Sequence, residues 1–209
     1  MMTDSKNTHC SLLGLTGLAG AGKDLLFSEI AKFTTAKRLA LADNLKMEMQ
    51  EYLLKCFGID ILHATREQKE SVRDLLVAHG KVRRKISKGR YWTSLITKET
   101  IKYRKECLTV ITDIRYAKYP EDEHFWLKKM GGKLIHLKKF IINENEDLIP
   151  LKYPNIDEAE NDPILLSLSD YQIEWPDMQT CPIQYKTKYE EKYQKELEKF
   201  FYWLKFGSK

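Results

Sequence analysis

Short apolar runs in this chain alternate with longer stretches where apolar positions recur every three or four residues. Residues 12–16 (Leu12-Leu13-Gly14-Leu15-Thr16) are an apolar run that stops at Gly17, which suits a buried strand. Leu25, Leu26, Ile30 and Phe33 follow at helical spacing, and residues 36–40 predict a second strand. Asp43 stands as an N-cap for a helix with Leu45, Met49, Leu53 and Phe57 on one side and Gly58 as its stop. Residues 66–79 predict another helix, with Val72, Leu75 and Leu76 inward and Gly80 as its stop, and Trp92, Leu95, Ile96 and Tyr103 mark a third. Residues 108–113 are a β-branched run too short for a helix, ending in the carboxylate of Asp113. A helix with Glu121, Asp122 and Glu123 in its first turn then runs to Gly131-Gly132, and residues 133–137 and 171–174 predict two more strands. The polar, acidic, Pro-containing stretch 143–162 reads as a loop of the lid or disordered kind. Tyr189, Tyr193, Leu197, Phe200 or Phe201, and Leu204 make a last amphipathic helix over 187–206. Strands alternating with helices predict an α/β fold: a mainly parallel five-stranded sheet covered on both faces.

Composition narrows the class. At 209 residues, 43% hydrophobic and 31% charged, the chain reads as one globular domain spanning 1–209, with a lid-like insertion around 138–162. No apolar run approaches the ~18 residues that span a bilayer, so no membrane partner is expected. Residues 1–9 are polar and lack a secretory signal's apolar stretch, which points to the cytoplasm. Cys10, Cys56, Cys107 and Cys181 are scattered without a CxxC pair and read as reduced thiols. The net charge is +5, and Lys81, Arg83, Arg84, Lys85, Lys88 and Arg90 fall within ten residues, either as a solvated face or as a surface for phosphates or nucleic acid.

The chemistry concentrates after the first strand, in Gly17-Leu18-Ala19-Gly20-Ala21-Gly22-Lys23-Asp24. The GxxxxGK pattern lets the backbone curl so that successive N–H groups face a phosphate. The next helix adds its positive end, and the lysine neutralises the outer phosphates. A strand before it and an amphipathic helix after it are the setting this device requires. Gly17, Gly20, Ala21, Gly22, Lys23, Asp24 and Leu25 are therefore the expected ATP-binding residues. Asp24 stands where Ser or Thr usually holds Mg²⁺, and a carboxylate can ligate that ion directly or through water. Asp113, at the C-terminal end of a parallel strand, is placed to orient Mg²⁺ or an attacking oxygen, or else to cap a helix or turn. Arg115, two residues on, could reach the transferred phosphoryl group or pair with Asp113. Arg73 sits in an amphipathic helix beside Lys69 and Asp74, and Arg83, Arg84 and Trp92 combine a basic loop with an aromatic. His79, before the glycine taken as a helix stop, reads as a C-terminal cap.

Several segments together resemble the bacteriophage deoxynucleoside monophosphate kinases: GLAGAGKD at 17–24, LADNLKMEM at 41–49, KESVRDLLVAHGKVRRKIS at 69–87 with Tyr91-Trp92, and VITDIRYAKYPEDE at 110–123. The resemblance covers about residues 12–137. Beyond it, Asn155-Ile156-Asp157-Glu158 stands where the family carries an HxSE segment. The resemblance implies a three-layer α/β/α P-loop kinase that uses ATP and Mg²⁺ to phosphorylate a deoxynucleoside monophosphate, in the host cytoplasm if the source is viral. It implies catalytic roles for Lys23, Asp113 and Arg115, and metal ligation by Asp24 and Asp113. Lys46, Arg73, Arg83 and Trp92 fall on the acceptor side, and Lys138 and Lys139 are the basic residues nearest a lid. Two alternatives stand beside this. One is a kinase acting on a hydroxymethylated base in DNA, which the basic run would suit. The other is a nucleotide-binding module that regulates a partner without catalysis. A homodimer is compatible with either.

Overall fold

The computed structural model describes residues 11–207. The polar segment 1–9 and Cys10 lie outside the described residues. Strand β1 (Leu12–Thr16) is followed by helix α1 (Lys23–Phe33), β2 (Ala36–Leu39) and α2 (Leu41–Phe57). Helices α3 (Arg66–Ser71), α4 (Arg73–Ile86) and α5 (Arg90–Tyr103) come next, then β3 (Leu108–Ile111), α6 (Glu123–Lys129) and β4 (Lys133–Ile142). The chain continues through β5 (Leu148–Pro150), α7 (Ile156–Leu168), β6 (Tyr171–Pro176), a 3₁₀ turn (Ile183–Tyr185) and α8 (Lys186–Phe206).

The strands run in the order β2-β3-β1-β4, with β6 parallel to β4 and β5 antiparallel to the far end of β4. This is the α/β architecture the pattern predicts, a three-layer sandwich. On one face Leu26 and Ile30 of α1 and Leu197, Phe200 and Leu204 of α8 pack on Leu13, Val110, Ile135 and Ile173. On the other, Leu41, Trp92, Ile96, Leu127 and Leu165, from four helices, pack on Leu12, Leu39 and Leu134. Each fully buried side chain of this size contributes roughly 1.5–3 kcal/mol, and both faces of the central strands are covered.

The structure corrects the sequence reading in several places. The sheet has six strands rather than five. Strand β4 runs on to Ile142 because Phe140 and Ile142 keep the period-two burial past Lys138. Asn143 then turns the chain, its Oδ1 accepting the N–H groups of Asn145 and Asp147, so that β5 can pair back. The polar stretch 143–162 is not one loop: α7 begins inside it, capped by the Asn155 side chain on Glu158 N–H. The predicted helix 66–79 is two helices. Thr65 and Gln68 close a capping box at the start of α3, and the chain leaves helical geometry at Val72 (φ −113°, ψ 8°), whose side chain is buried with Met49, Leu53 and Ile61. Gly80 does not end α4, which continues to Ile86 and carries Lys81, Arg83, Arg84 and Lys85 of the basic run on a helix instead of a loop. Asp43 is inside α2, whose N-cap is Ala40.

One buried ion pair ties α4 to the approach to α6. Asp122 is fully buried and takes Arg84 through two bonds of 2.7 Å, together with the N–H groups of Lys118 (2.7 Å) and Tyr119 (2.6 Å). The guanidinium packs between the rings of Tyr116 (3.8 Å) and Tyr119 (4.6 Å). The two bonds to Arg84 and the two backbone donors offset the pair's desolvation cost. Replacing Arg84 by Met leaves the Asp122 charge with only its backbone donors. Urea unfolding of Arg84→Met should show a loss of about 3 kcal/mol, and Arg84→Lys should recover little, since an ammonium neither forks nor stacks. A wild-type unfolding midpoint in Arg84→Met would mean that the pair is dispensable.

Candidate active site

The loop joining β1 to α1 is shaped by what lies beside it. At Gly17 (φ +123°) a Cβ would run into the Leu137 carbonyl oxygen of β4. At Gly22 (φ +96°) a Cβ would lie 2.7 Å from the Trp175 ring. Trp175 Nε1 donates to the Ala21 carbonyl at 2.9 Å, and Ala21 N–H donates to Leu18 O at 3.0 Å, closing the curl. Helix α1 starts at once, presenting its N-terminal N–H groups to the loop's mouth.

Lys23 Nζ donates to the carbonyls of Gly17 (2.7 Å) and Leu18 (2.8 Å), so the ammonium is folded onto its own loop. Burial, and then the Arg115 guanidinium, pull its pKa down to about 8, against the carboxylates of Glu158, Asp113 and Asp24.

Asp113 is used differently from the metal-ordering role expected of it. Its two oxygens accept the N–H groups of Leu41 (2.9 Å) and Ala42 (2.7 Å), the first two of α2. Burial raises its pKa in spite of those bonds and of Arg115. It is the helix cap that Asp43 was expected to be, supplied from 70 residues downstream in sequence. Asp24 lies in solvent with Arg38 Nε 3.5 Å away. For Mg²⁺, a hard ion that takes few protein oxygens beside phosphate and water, Asp24 therefore fits better than Asp113. Among the described residues no three His, Cys, Asp or Glu side chains converge on one metal position.

Beside the loop opens a cavity of about 270 Å³. Leu41 and Leu45 of α2, Leu76 and Val77 of α4, and Trp92 of α5 form its apolar walls. Lys46, Lys69, Arg73, Lys81 and Arg115 bring cations to it, and Asp113, Glu123, Asp157 and Glu158 bring carboxylates. Gly80 keeps α4 close to α2, since a Cβ there would lie 2.8 Å from Leu45 Cδ1. Its carbonyl also accepts Trp92 Nε1–H at 3.2 Å, which fixes the indole as a wall. Lys46 pairs with Asp43 (3.1 Å) and Arg73 with Glu70 (2.7 Å).

Four residues lie elsewhere than expected. Arg83 is bonded to Glu48 and lies over the Tyr91 ring (4.7 Å), outside the cavity lining. Lys138 and Lys139 belong to β4; Lys138 is exposed and Lys139 reaches Asp177 at 3.4 Å, so neither lines the cavity. His79 is in the interior of α4 rather than at its end, with Nε2 3.1 Å from Glu48 Oε1.

Sequence reasoning passed over the carboxylates that organise the site. Glu158 Oε2 accepts Ala19 N–H at 2.8 Å, and Oε1 takes Arg115 Nη1 at 3.0 Å. Glu123 Oε2 accepts Arg115 N–H at 2.5 Å. Asp157 accepts the Tyr116 hydroxyl (2.5 Å) and lies 3.1 Å from Lys81. The capping spacing from Asn155 to Glu158 was a local signal for α7. Nothing local told that Glu123 faces inward.

No family model matches the chain, and no curated protein matches it in sequence. Among solved structures the chain is similar to the dephospho-CoA kinase from Campylobacter jejuni, with a TM-score of 0.37 and 15% identity over 88% of this chain and 96% of that one.

Glu123 gives the site a pH signature. Burial pushes its pKa up to about 8 against the Arg115 N–H, with Asp113 and Asp122 adding to the shift. Between the ordinary carboxylate range and pH 8 the native state then holds a proton that the unfolded chain has released, so this group's contribution to stability falls as pH rises through that window. Melting temperatures of wild type and Glu123→Gln, measured from pH 5 to 8, should diverge: the wild type loses stability relative to the variant as pH rises. Parallel curves would mean that Glu123 is ionised in the folded protein.

Proposed function

We propose that this chain is a P-loop kinase that moves the γ-phosphoryl group of ATP onto a deoxynucleoside monophosphate. The observation that carries the reading is the direct adjacency of two sites. A glycine loop, curled against Leu137 and Trp175 and followed by Lys23 and α1, opens beside a cavity with an apolar slot at one side and cations at the other. An apolar slot suits a nucleobase and clustered cations suit a phosphate. The separation of a γ-phosphate cradle from an acceptor slot is what transfer between two nucleotides requires.

In this reading the N–H groups of the loop and Lys23 hold the ATP phosphates. Arg115 stands between loop and cavity, where charge collects as the β–γ bridging bond breaks and an acceptor phosphate oxygen bonds to phosphorus. Arg73 and Lys46 hold the acceptor phosphate, while Trp92 and the leucines of α2 and α4 wall its base. Mg²⁺ bound with the nucleotide, near Asp24, would supply further neutralisation of the phosphate oxygens. A phosphate acceptor needs no strong general base, and Asp113 serves by fixing α2, which carries Lys46 into the cavity. The DNA alternative drew on the basic run, but Lys81, Arg83, Arg84 and Arg90 lie beside Asp157, Glu48, Asp122 and Glu121. The support it had from a free basic surface is thereby reduced.

ADP release should be screened across deoxynucleoside monophosphates, ribonucleoside monophosphates and DNA. Release with the first class supports the reading; release only with DNA, or ATP binding without any release, overturns it. Lys23→Ala should lower turnover on the order of 10²-fold or more with the fold intact.

Arg73→Lys separates the two substrates. Lysine cannot reproduce a guanidinium's paired bonds to a phosphate, so the acceptor KM should rise ~10-fold or more while that for ATP stays put. Unchanged constants for both would return Arg73 to the surface, and a matched rise in both would move it to the ATP side.

A further inference from the structure

The glycine loop already holds an anion, and the chain itself supplies it. Glu158 lies in the first turn of α7, with its side chain only 11% exposed. Its carboxylate joins the Ala19 N–H of the loop to the Arg115 guanidinium, at 2.8 and 3.0 Å. Asn155 Nδ2 lies 3.4 Å from the same Oε1 and completes its polar surroundings. Its charge also acts on Lys23. A carboxylate held by a curled-loop N–H and a guanidinium makes the same demands as a phosphate oxygen pair. Three of the donors a nucleotide phosphate would use are thus engaged internally: Ala19 N–H and Arg115 by Glu158, and Lys23 by the Gly17 and Leu18 carbonyls.

Two features of α7 allow this contact to yield. The second half of the helix is anchored: Leu165 is buried in the core, and Asp162 Oδ1 lies 2.9 Å from Nε2 of the buried His136 on β4. Pro163, next to Asp162 within that anchored half, has no N–H to give to the Ala159 carbonyl one turn back, so one bond that would tie the first turn to the rest of α7 is missing. The first turn is held to the rest of α7 by one backbone bond fewer than an unbroken helix would supply, with Asn161 Nδ2 donating to the Asp157 carbonyl at 2.8 Å.

Building on the nucleotide-binding reading above, we propose that Glu158 is an internal competitor for the phosphate of the nucleotide. It holds the loop and Arg115 closed to anions until ATP displaces it. Because Glu158 and its neighbour Asp157 also line the acceptor cavity, the displacement that admits ATP loosens the first turn of α7 over that cavity. The same event returns Arg115 to the reacting phosphates. ATP binding and opening of the acceptor site are then one transition, set by a competition of two anions for one cradle.

The test measures ATP and inorganic tripolyphosphate affinity of wild type and Glu158→Gln, each in Mg²⁺ and in EDTA. It adds amide hydrogen exchange of residues 156–160 in the wild type with and without ATP. A competitor predicts that Glu158→Gln binds both ligands ~10-fold tighter, with or without Mg²⁺, and that ATP speeds exchange in the first turn of α7. Equal or weaker binding by the variant overturns the proposal, and weakening confined to Mg²⁺ would make Glu158 a metal ligand instead. Should the variant not fold, the exchange readout decides alone: slower or unchanged exchange with ATP overturns it. Failure of wild type and variant alike to bind ATP would sink the nucleotide reading itself, whereas equal binding by both sinks only the role of Glu158.

Discussion

The squeeze on the loop between β1 and α1 is the constraint from which most of the molecule follows. The chain must pass between the Leu137 backbone and the Trp175 indole with no room for a Cβ at either Gly17 or Gly22. Trp175 can press there because it is itself buried, on a strand added at the far side of β4, with Tyr193 of α8 against its ring (5.5 Å). The C-terminal helix thereby sets the geometry of a loop near the other end of the sequence. The order β3-β1-β4-β6 is what brings the two flanking walls to the same place. A loop so held presents its N–H groups without reorganising, and a preformed cradle of that kind is what makes phosphate binding cheap in entropy.

What the sequence disclosed and what it withheld divide along one physical line: local periodicity against distant partners. The run before Gly17, the helix after Lys23 and the apolar face of α8 are written in nearest-neighbour spacing, and the structure has them where the pattern puts them; on α5 it buries Trp92 and Ile96 but leaves Leu95 exposed. Val72 breaks its helix because its side chain is needed among Met49, Leu53 and Ile61, residues no local window contains. Gly80 reads as a stop by propensity, yet the helix continues because α4 must approach Leu45 closely, and a glycine is what permits that. Asp43 looked like the cap of α2 because caps are usually local. The true donor–acceptor match comes from Asp113, whose position at the end of β3 was legible although its partner was not. The glycine loop was legible as a motif, while its internal anion, Glu158, was hidden in a stretch that read as a loop.

Asp113, Asp122, Glu123, Asp157 and Glu158 crowd a place meant, in the proposed reading, for phosphates. Their bonding explains why this is tolerable. Asp113 and Asp122 are saturated by N–H groups and, in Asp122's case, by Arg84. Glu123 is driven towards its neutral form by burial. Asp157 and Glu158 each face a cation. None presents a bare charge to an incoming anion, and Asp157 and Glu158 hold Lys81 and Arg115 at the rim of the cavity.

That distribution also separates two kinds of carboxylate by how replaceable their partners are. Asp122 could lose Arg84 only by stranding a charge away from all water, so its pair is structural and does not exchange. Glu158 is held by a backbone N–H that also belongs to the proposed phosphate cradle and by an arginine that is 43% exposed. Its partners can be taken over by a stronger anion without leaving either of them unpaired. The same interaction, a carboxylate on an arginine, is therefore permanent between α4 and the approach to α6 and exchangeable at the glycine loop. The difference lies in whether a competing anion can reach it.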